Sequence, residues 1–272
     1  MQATEMKALA EGLLGVALTA ARLQMSHFST GVAVETKADR SPVTIADRQS
    51  EEIILIGLAR VAPGIPVVSE EAAAGGHVPA TGDTFFLVDP LDGTKPYIRG
   101  STEFTINIAL IAARQPVFGL VYAPAIPDFY VTVGPAETMA ARLPPSSPAQ
   151  TLAECGLAPL RTQVPDPNAL RAFTSQSHAN SATKRFLDHF NVIEQRAVSS
   201  SLKFGLMARG EADIYPRIGE TSEWDTAAGH AVLAAAGGTV TTLDGQPLLY
   251  GKPGFINPDF VAWGRAPMAR QR

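Results

Sequence analysis

A block of closely spaced apolar, β-branched runs in the first half constrains this chain more than any other feature. Residues 85–88, 104–112 and 116–123 are apolar almost throughout, and the last two runs meet at Arg114-Gln115-Pro116. Runs of that length, broken by turn residues, predict strands, and the last two predict a strand pair. Tyr130 to Val133 extends the series. Two helical patterns come first. Residues 3–26 place Met6, Leu9, Leu13, Val16 and Leu23 near one face, and a second pattern runs to Arg60 before Pro63-Gly64 stops it. Thr44 predicts the N-cap of that second helix, with Asp47 three residues on, as in a capping box. Residues 32–38 and 66–69 read as extended, and residues 72–83 as loop.

Beyond the block, residues 134–168 are rich in proline and read as irregular, which marks a boundary between two lobes. Strand and helix patterns then alternate: strands at 170–174, 192–198, 212–215 and 238–243, helices at 180–190, 200–209 and 224–236. Two helices ahead of a run of strands imply α+β, and alternation implies a layered α/β lobe. The expected fold class is therefore α+β, with an N-terminal α+β lobe over residues 1–140 and a C-terminal α/β lobe over 141–272.

Composition narrows the function. Of the 272 residues 46% are apolar, enough for a substantial core. The net charge of −4 argues against a broad basic face for nucleic acid, though not against one nucleotide in a small basic pocket. The single cysteine, Cys155, excludes an intrachain disulfide and a thiolate zinc site. The cytoplasm is the expected compartment. The apolar stretch from Gly12 to Ala21 follows Glu5, Lys7 and Glu11 and is closed by Arg22, so neither a signal peptide nor a spanning helix of about 20 residues is expected. No basic amphipathic helix argues for a membrane surface, although a resting place on the inner membrane face stays open. A monomer is the expected state.

Three acidic clusters fall at strand ends or helix starts: Glu70-Glu71, Asp89-Pro90-Leu91-Asp92-Gly93-Thr94, and Trp224-Asp225-Thr226. In the second, proline and glycine force a turn that can aim Asp89, Asp92 and the Leu91 carbonyl at one point. That is a hard oxygen donor set, suited to Mg²⁺ rather than Zn²⁺. Two carboxylates about 4 Å apart repel by roughly 4 kcal/mol at an effective dielectric of 20, so a divalent cation is their natural companion. The Gly93 and Thr94 amides, if they open a helix, can face a phosphate oxygen. Taken singly, each cluster has a bland reading as a turn, a solvated face or a helix cap.

In order, the pieces form a longer pattern: Asp47, Glu70-Glu71, Asp89-Pro90-Leu91-Asp92-Gly93-Thr94, then Trp224-Asp225 followed by Gly237-Gly238. This resembles the signature of the lithium-sensitive, Mg²⁺-dependent phosphomonoesterases of the inositol monophosphatase superfamily. Further segments resemble its CysQ-type 3′(2′),5′-bisphosphate nucleotidases: Ser41-Pro42-Val43-Thr44, Glu103 to Ile111, Ser199 to Phe204, Tyr215-Pro216-Arg217 and Glu223 to Gly229. The resemblance implies a layered αβαβα sugar-phosphatase-type fold. It also implies hydrolysis of the 3′-phosphate of adenosine 3′,5′-bisphosphate to AMP, with two or three Mg²⁺ ions. By the same resemblance Glu70, Asp89, the Leu91 carbonyl, Asp92 and Asp225 are metal ligands, with Asp89 bridging. Thr94, hydrogen-bonded to Asp47, activates the water, and Glu70 holds a further ion or water near it. His178, Ser200, Lys203 and Arg217 bind the nucleotide. Related activities on inositol monophosphate or fructose 1,6-bisphosphate, and a non-catalytic nucleotide-binding protein, are the alternatives. Pro96-Tyr97 departs from the usual acidic-Phe pair and is expected to alter the pocket mouth. Lys95 follows the metal loop and is read evenly as a phosphate contact or a solvated side chain. Trp224 is expected to anchor packing, and His27, His77, His189 and His230 to be structural or surface residues.

Overall fold

The computed structural model describes residues 1–31, 33–37, 41–176 and 180–268. Helix α1 (Ala3–Thr30) leads through β1 (Val34–Thr36) and β2 (Pro42–Thr44) into α2 (Ile45–Val61). Thr44 caps α2 as expected, and the Asp47 side chain answers the Thr44 backbone to close the capping box. Strand β3 (Val67–Ser69), the short helix α3 (Glu70–Ala74), β4 (Thr84–Asp92) and the short helix α4 (Thr94–Ile98) follow. Then come β5 (Thr105–Ala112), β6 (Gln115–Ala123), β7 (Asp128–Gly134), β8 (Glu137–Arg142) and β9 (Ala158–Pro159). Strands β3 to β9 form one seven-stranded sheet in sequence order, antiparallel except for the β3–β4 pair.

The second sheet has five strands, drawn from β10 (Leu170–Ser175), β11 (Val192–Val198), β12 (Ile214–Arg217), β13 (Thr239–Thr242) and β14 (Phe260–Trp263). Helices α5 (Ser181–Leu187), α6 (Leu202–Ala208) and α7 (Ala227–Ala235) are interleaved with them. The order is β11-β10-β12-β14-β13.

Burial orders these parts into five layers. One face of the first sheet, carrying Phe86, Val88, Ile108 and Leu120, packs on α1 and α2 through Leu13, Leu14, Ile54 and Leu58. The other face, carrying Phe85, Leu87, Ala109 and Val121, packs on α6 and α7 through Leu202, Met207, Ala228 and Val232. The same cluster takes in Phe173, Tyr215 and Phe260 of the second sheet. That sheet's far face holds Leu170, Ile214 and Trp263 against Phe186 and Leu187 of α5. The result is the α-β-α-β-α stack that the resemblance implies. Because helices cover both its faces, β4 reads as a continuous apolar run rather than an alternating one. Helix α7, caught between two sheets, is apolar nearly all round. A Cβ at Gly119 on β6 would sit 2.2 Å from the Ala228 carbonyl oxygen, so α7 reaches this sheet only because that residue is glycine.

Several boundaries differ from the sequence reading. Strand β4 continues past Val88 through the acidic turn, with a register shift between Asp89 and Asp92 that absorbs Pro90. Residues 72–83 begin inside α3. The proline-rich stretch is not irregular throughout: β8 and β9 pair into the first sheet, and residue 140 lies within β8. Strand β14 has no counterpart in the sequence pattern, although it joins β12 to β13. Of the extended segment expected at 32–38, residues 34–36 form β1, and residues 32 and 38 lie outside the described residues.

Candidate active site

The C-terminal end of β4 carries the chemistry. Asp89 is buried, and its Oδ1 accepts the Leu91 N–H at 3.0 Å, which curls the turn. The Pro90 carbonyl is held from behind by Gln24 Nε2 at 2.7 Å, a buried α1 residue that no sequence motif marks. Gly93 adopts φ +95°, a left-handed conformation that reverses the chain into α4. Thr94 then donates from Oγ1 to Asp47 Oδ1 at 2.9 Å. Asp47 Oδ2 accepts both the backbone N–H (2.8 Å) and the hydroxyl (2.6 Å) of Thr44. The helix cap read from the sequence thus also anchors the partner of Thr94.

One cleft of about 280 Å³ gathers most of the residues singled out above. Glu70, Asp89, Leu91, Asp92, Gly93, Thr94, Ser200, Lys203, Arg217 and Asp225 all line it, and so does Lys95. Pro96 lines it too, but Tyr97 does not. Tyr97 is buried, donates its hydroxyl to the Gln24 carbonyl at 2.7 Å, and packs edge-on against Phe104 at 4.8 Å. The departure at Pro96-Tyr97 therefore changes the pocket mouth at Pro96 only. His178 lies outside the described residues. Trp224 packs against Phe255, and His230 is buried with Nδ1 3.0 Å from the Tyr250 hydroxyl, both structural roles.

The electrostatics of the cleft are unusual. Burial pushes the Asp89 carboxyl well above its ordinary value, and the charges of Glu70, Asp92 and Asp225 push it further. Asp225 is raised in the same way, by burial and then by Asp92 and Glu70. Burial also raises Asp92 and Glu70, against the opposing charges of Lys203 and Lys37 respectively. Glu71 is raised to about 7 by burial and by Glu70. Lys37, which belongs to none of the sequence motifs, bridges Glu70 (2.7 Å) and Glu71 (2.6 Å). Among the described residues no three His, Cys, Asp or Glu side chains are already drawn into a closed cage. The donor chemistry nonetheless fits a hard divalent cation, because the set is all carboxylate and carbonyl oxygen, and mutual repulsion is what a cation would relieve.

Cations of the protein itself stand beside this acidic set. Lys203 is buried, its pKa lowered to about 8 by burial against the pull of Asp92. Its Nζ donates to the carbonyls of Val198 (2.9 Å) and Ser200 (2.7 Å), so it holds the chain as well as lining the cleft. Arg217 is 5% exposed; it donates to the Glu220 carbonyl at 2.7 Å, and its Nε is buried without a hydrogen-bond partner.

Asp225 sits on a loop stapled by Asn257, which belongs to no sequence motif, and by Glu223, which belongs to the Glu223 to Gly229 segment. Asn257 Nδ2 donates to the Ser222 carbonyl (2.8 Å) and to Thr226 Oγ1 (3.0 Å). Glu223, fully buried, accepts the backbone N–H groups of Gly251 (2.7 Å) and Lys252 (2.9 Å). Asp225 Oδ2 itself accepts the Ser222 N–H at 2.8 Å.

Comparisons with known proteins give the family of the chain. Residues 5–269 match the inositol monophosphatase family. The chain is 44% identical over 228 residues to the 3′(2′),5′-bisphosphate nucleotidase CysQ of Shigella flexneri, covering 84% of this chain and 87% of that one. It is 42% identical over the same length to CysQ of Escherichia coli K12, with the same coverage. The crystal structure of CysQ from Bacteroides thetaiotaomicron matches it with a TM-score of 0.79 at 33% identity, over 97% of this chain and 98% of that one. The chain belongs to the inositol monophosphatase family.

Proposed function

We propose that the protein is a Mg²⁺-dependent 3′(2′),5′-bisphosphate nucleotidase that releases the 3′-phosphate of adenosine 3′,5′-bisphosphate to leave AMP. One observation carries the substrate class. A buried guanidinium with an unpartnered Nε, Arg217, shares a cleft with the buried carboxylate of Asp89 and the half-buried carboxylates of Glu70, Asp92 and Asp225. The carboxylates suit cations at the reacting phosphate, and a planar guanidinium fork suits a second phosphate. The names and identities of the relatives support the same reading.

Glu70, Asp89, Asp92, Asp225 and the Leu91 carbonyl would hold two or three Mg²⁺ ions. Bound there, the ions would supply Lewis acidity and lower the pKa of a water. The protein's own part is proton handling and placement. Thr94 Oγ1 accepts a proton from the attacking water as its own passes to Asp47 Oδ1, along the 2.9 Å bond already present. A threonine hydroxyl is too weak a base to act without that carboxylate. Ser200, Lys203 and Arg217, with His178, orient the nucleotide, and the Gly93 and Thr94 amides face the reacting phosphate. The first lobe thus supplies most of the metal ligands, and the second completes the set with Asp225 and binds the nucleotide. No helix among the described residues is long and apolar enough to cross a membrane. We place the activity in the cytoplasm.

The test is phosphate release from adenosine 3′,5′-bisphosphate and inositol 1-phosphate, side by side, with Mg²⁺ and with or without Li⁺. Fast, Li⁺-sensitive release from the nucleotide is expected. Preference for inositol 1-phosphate would overturn the substrate assignment.

A further inference from the structure

Two segments singled out in the sequence, Glu103 to Ile111 and Ser199 to Phe204, come from different lobes. The structure joins them. Glu103 Oε2 accepts the Ser199 N–H at 2.8 Å, across 96 residues of chain. Two residues further on, Asp92 Oδ2 accepts the Ser201 N–H at 2.6 Å. Between them Ser200 is held at φ +56°, in the left-handed region where a side chain other than glycine is strained. Lys203 Nζ closes the other side by binding the carbonyls of Val198 and Ser200. Ser199 Oγ, the remaining polar group of the turn's first residue, bonds to Gln176 Oε1 at 2.7 Å. A strained backbone persists only where its surroundings over-determine it, and here carboxylates of the first lobe grip the N–H groups on both sides of Ser200.

This turn forms one wall of the cleft through Ser199, Ser200 and Lys203. Asp92 belongs to the proposed metal set, but Glu103 does not line the cleft, and nothing in the proposed chemistry uses it. We infer that Glu103 is a positioning residue for substrate specificity: its carboxylate locks the Ser199–Ser201 turn so that Ser200 and Lys203 meet the non-reacting phosphate of a bisphosphate substrate. The inference rests on the bisphosphate reading above and adds to it the device that makes the subsite rigid.

The sign of the effect separates this role from a purely electrostatic one. Glu103 is a negative charge beside Lys203, which feels it. If charge were its whole influence, removing it would strengthen binding of an anion. If it positions the turn, removing the acceptor weakens binding although the site becomes more positive.

The experiment compares wild type, Glu103→Ala and Glu103→Gln on adenosine 3′,5′-bisphosphate and on adenosine 3′-monophosphate, which keeps the reacting phosphate and lacks the second. Glu103→Ala is expected to raise KM for the bisphosphate about tenfold, the scale of one lost buried hydrogen bond, with little change in kcat. Its kinetics on the monophosphate should match wild type, which also shows that the variant is folded. Glu103→Gln keeps a carbonyl acceptor and should restore the wild-type KM or lower it. Equal losses on both substrates, no change on either, or a lowered bisphosphate KM in Glu103→Ala would overturn the inference. An alanine variant that does not fold leaves the decision to Glu103→Gln: a raised bisphosphate KM there would also overturn it. Wild type failing to favour the bisphosphate over the monophosphate would overturn both the inference and the bisphosphate reading. Wild type favouring it while the alanine variant is unchanged would overturn the inference alone.

Discussion

Asp47→Asn is the substitution that most directly separates chemistry from structure in this site. The replacement is isosteric but has only one acceptor oxygen where the carboxylate has two. Those two oxygens have different duties: Oδ1 accepts from Thr94, and Oδ2 accepts from the backbone and hydroxyl of Thr44. The asparagine oxygen would face Thr44, where the backbone N–H has no freedom to turn. The amide NH₂ would then face Thr94, whose hydroxyl can rotate to accept. Every hydrogen bond has a neutral replacement, so stability should fall by only about 1–2 kcal/mol, the difference between charge-assisted and neutral bonds. At about 2–4 °C per kcal/mol, the melting temperature should drop by less than roughly 8 °C. Activity should respond far more. Thr94 would no longer have a base to receive its proton, and loss of a general base costs about 10²–10⁴-fold in rate, or roughly 2.7–5.5 kcal/mol of barrier. The assay is kcat for phosphate release at saturating Mg²⁺, with a thermal melt of the same preparation. A kcat within about fivefold of wild type, in a protein that melts normally, would refute the proton path through Thr94 and Asp47.

Other consequences follow from the same geometry. Glu71 has its pKa raised to about 7 from 4.5, and Glu70, Asp89 and Asp225 move in the same direction. A raised carboxylate contributes stability below its unfolded pKa and loses it as pH climbs through the folded value. Without divalent cations the melting temperature should therefore fall between about pH 4.5 and 7, and Mg²⁺ should raise it more at neutral than at acidic pH; a Mg²⁺ effect independent of pH would count against the metal assignment. Asn257→Ala unties Ser222 and Thr226 on either side of Asp225, and should raise the Mg²⁺ concentration needed for half-maximal thermal stabilisation. An unchanged Mg²⁺ titration would show that the loop holds itself. Gly119→Ala places a methyl 2.2 Å from the Ala228 carbonyl oxygen, and overpacking of that kind costs about 1–3 kcal/mol or more. A melting temperature unchanged within about 1 °C would contradict the close packing of α7 on β6.

Much of the site is legible in the amino-acid order because its core is local. Asp89, Leu91, Asp92, Gly93 and Thr94 lie within six consecutive positions, and the Thr44–Asp47 cap spans four. Turn chemistry and capping rules act at that range, and the folded chain keeps both features in place. Helix and strand periodicity likewise marks α1, α2, β5, β6 and the alternation after residue 170. Strand β14 escapes such patterns because Phe260–Trp263 is a four-residue run with both faces covered, so it shows no alternation. Strands β8 and β9 escape because their stretch is interrupted by prolines, and their pairing partner rather than their own pattern defines them.

The residues that only the fold could assign share one property: their partners are remote in sequence. Gln24 meets Pro90 across 66 residues, Glu103 meets Ser199 across 96, and Ser201 meets Asp92 across 109. Lys37 reaches Glu70 and Glu71 from the other end of α2, and Asn257 reaches back to Thr226. No local propensity encodes such contacts, because each exists only once the layers have closed and a buried polar group must find a partner or bear the desolvation cost. The short-range chemistry of the chain specified the turn that gathers the Asp89 and Asp92 carboxylates with the Leu91 carbonyl, and the cap that holds Asp47. The stacking of α6 and α7 between the two sheets decided that Asp225, Lys203 and Arg217 face those atoms across one cleft, since hydrophobic burial is non-directional and acts on whole faces rather than on neighbours in sequence.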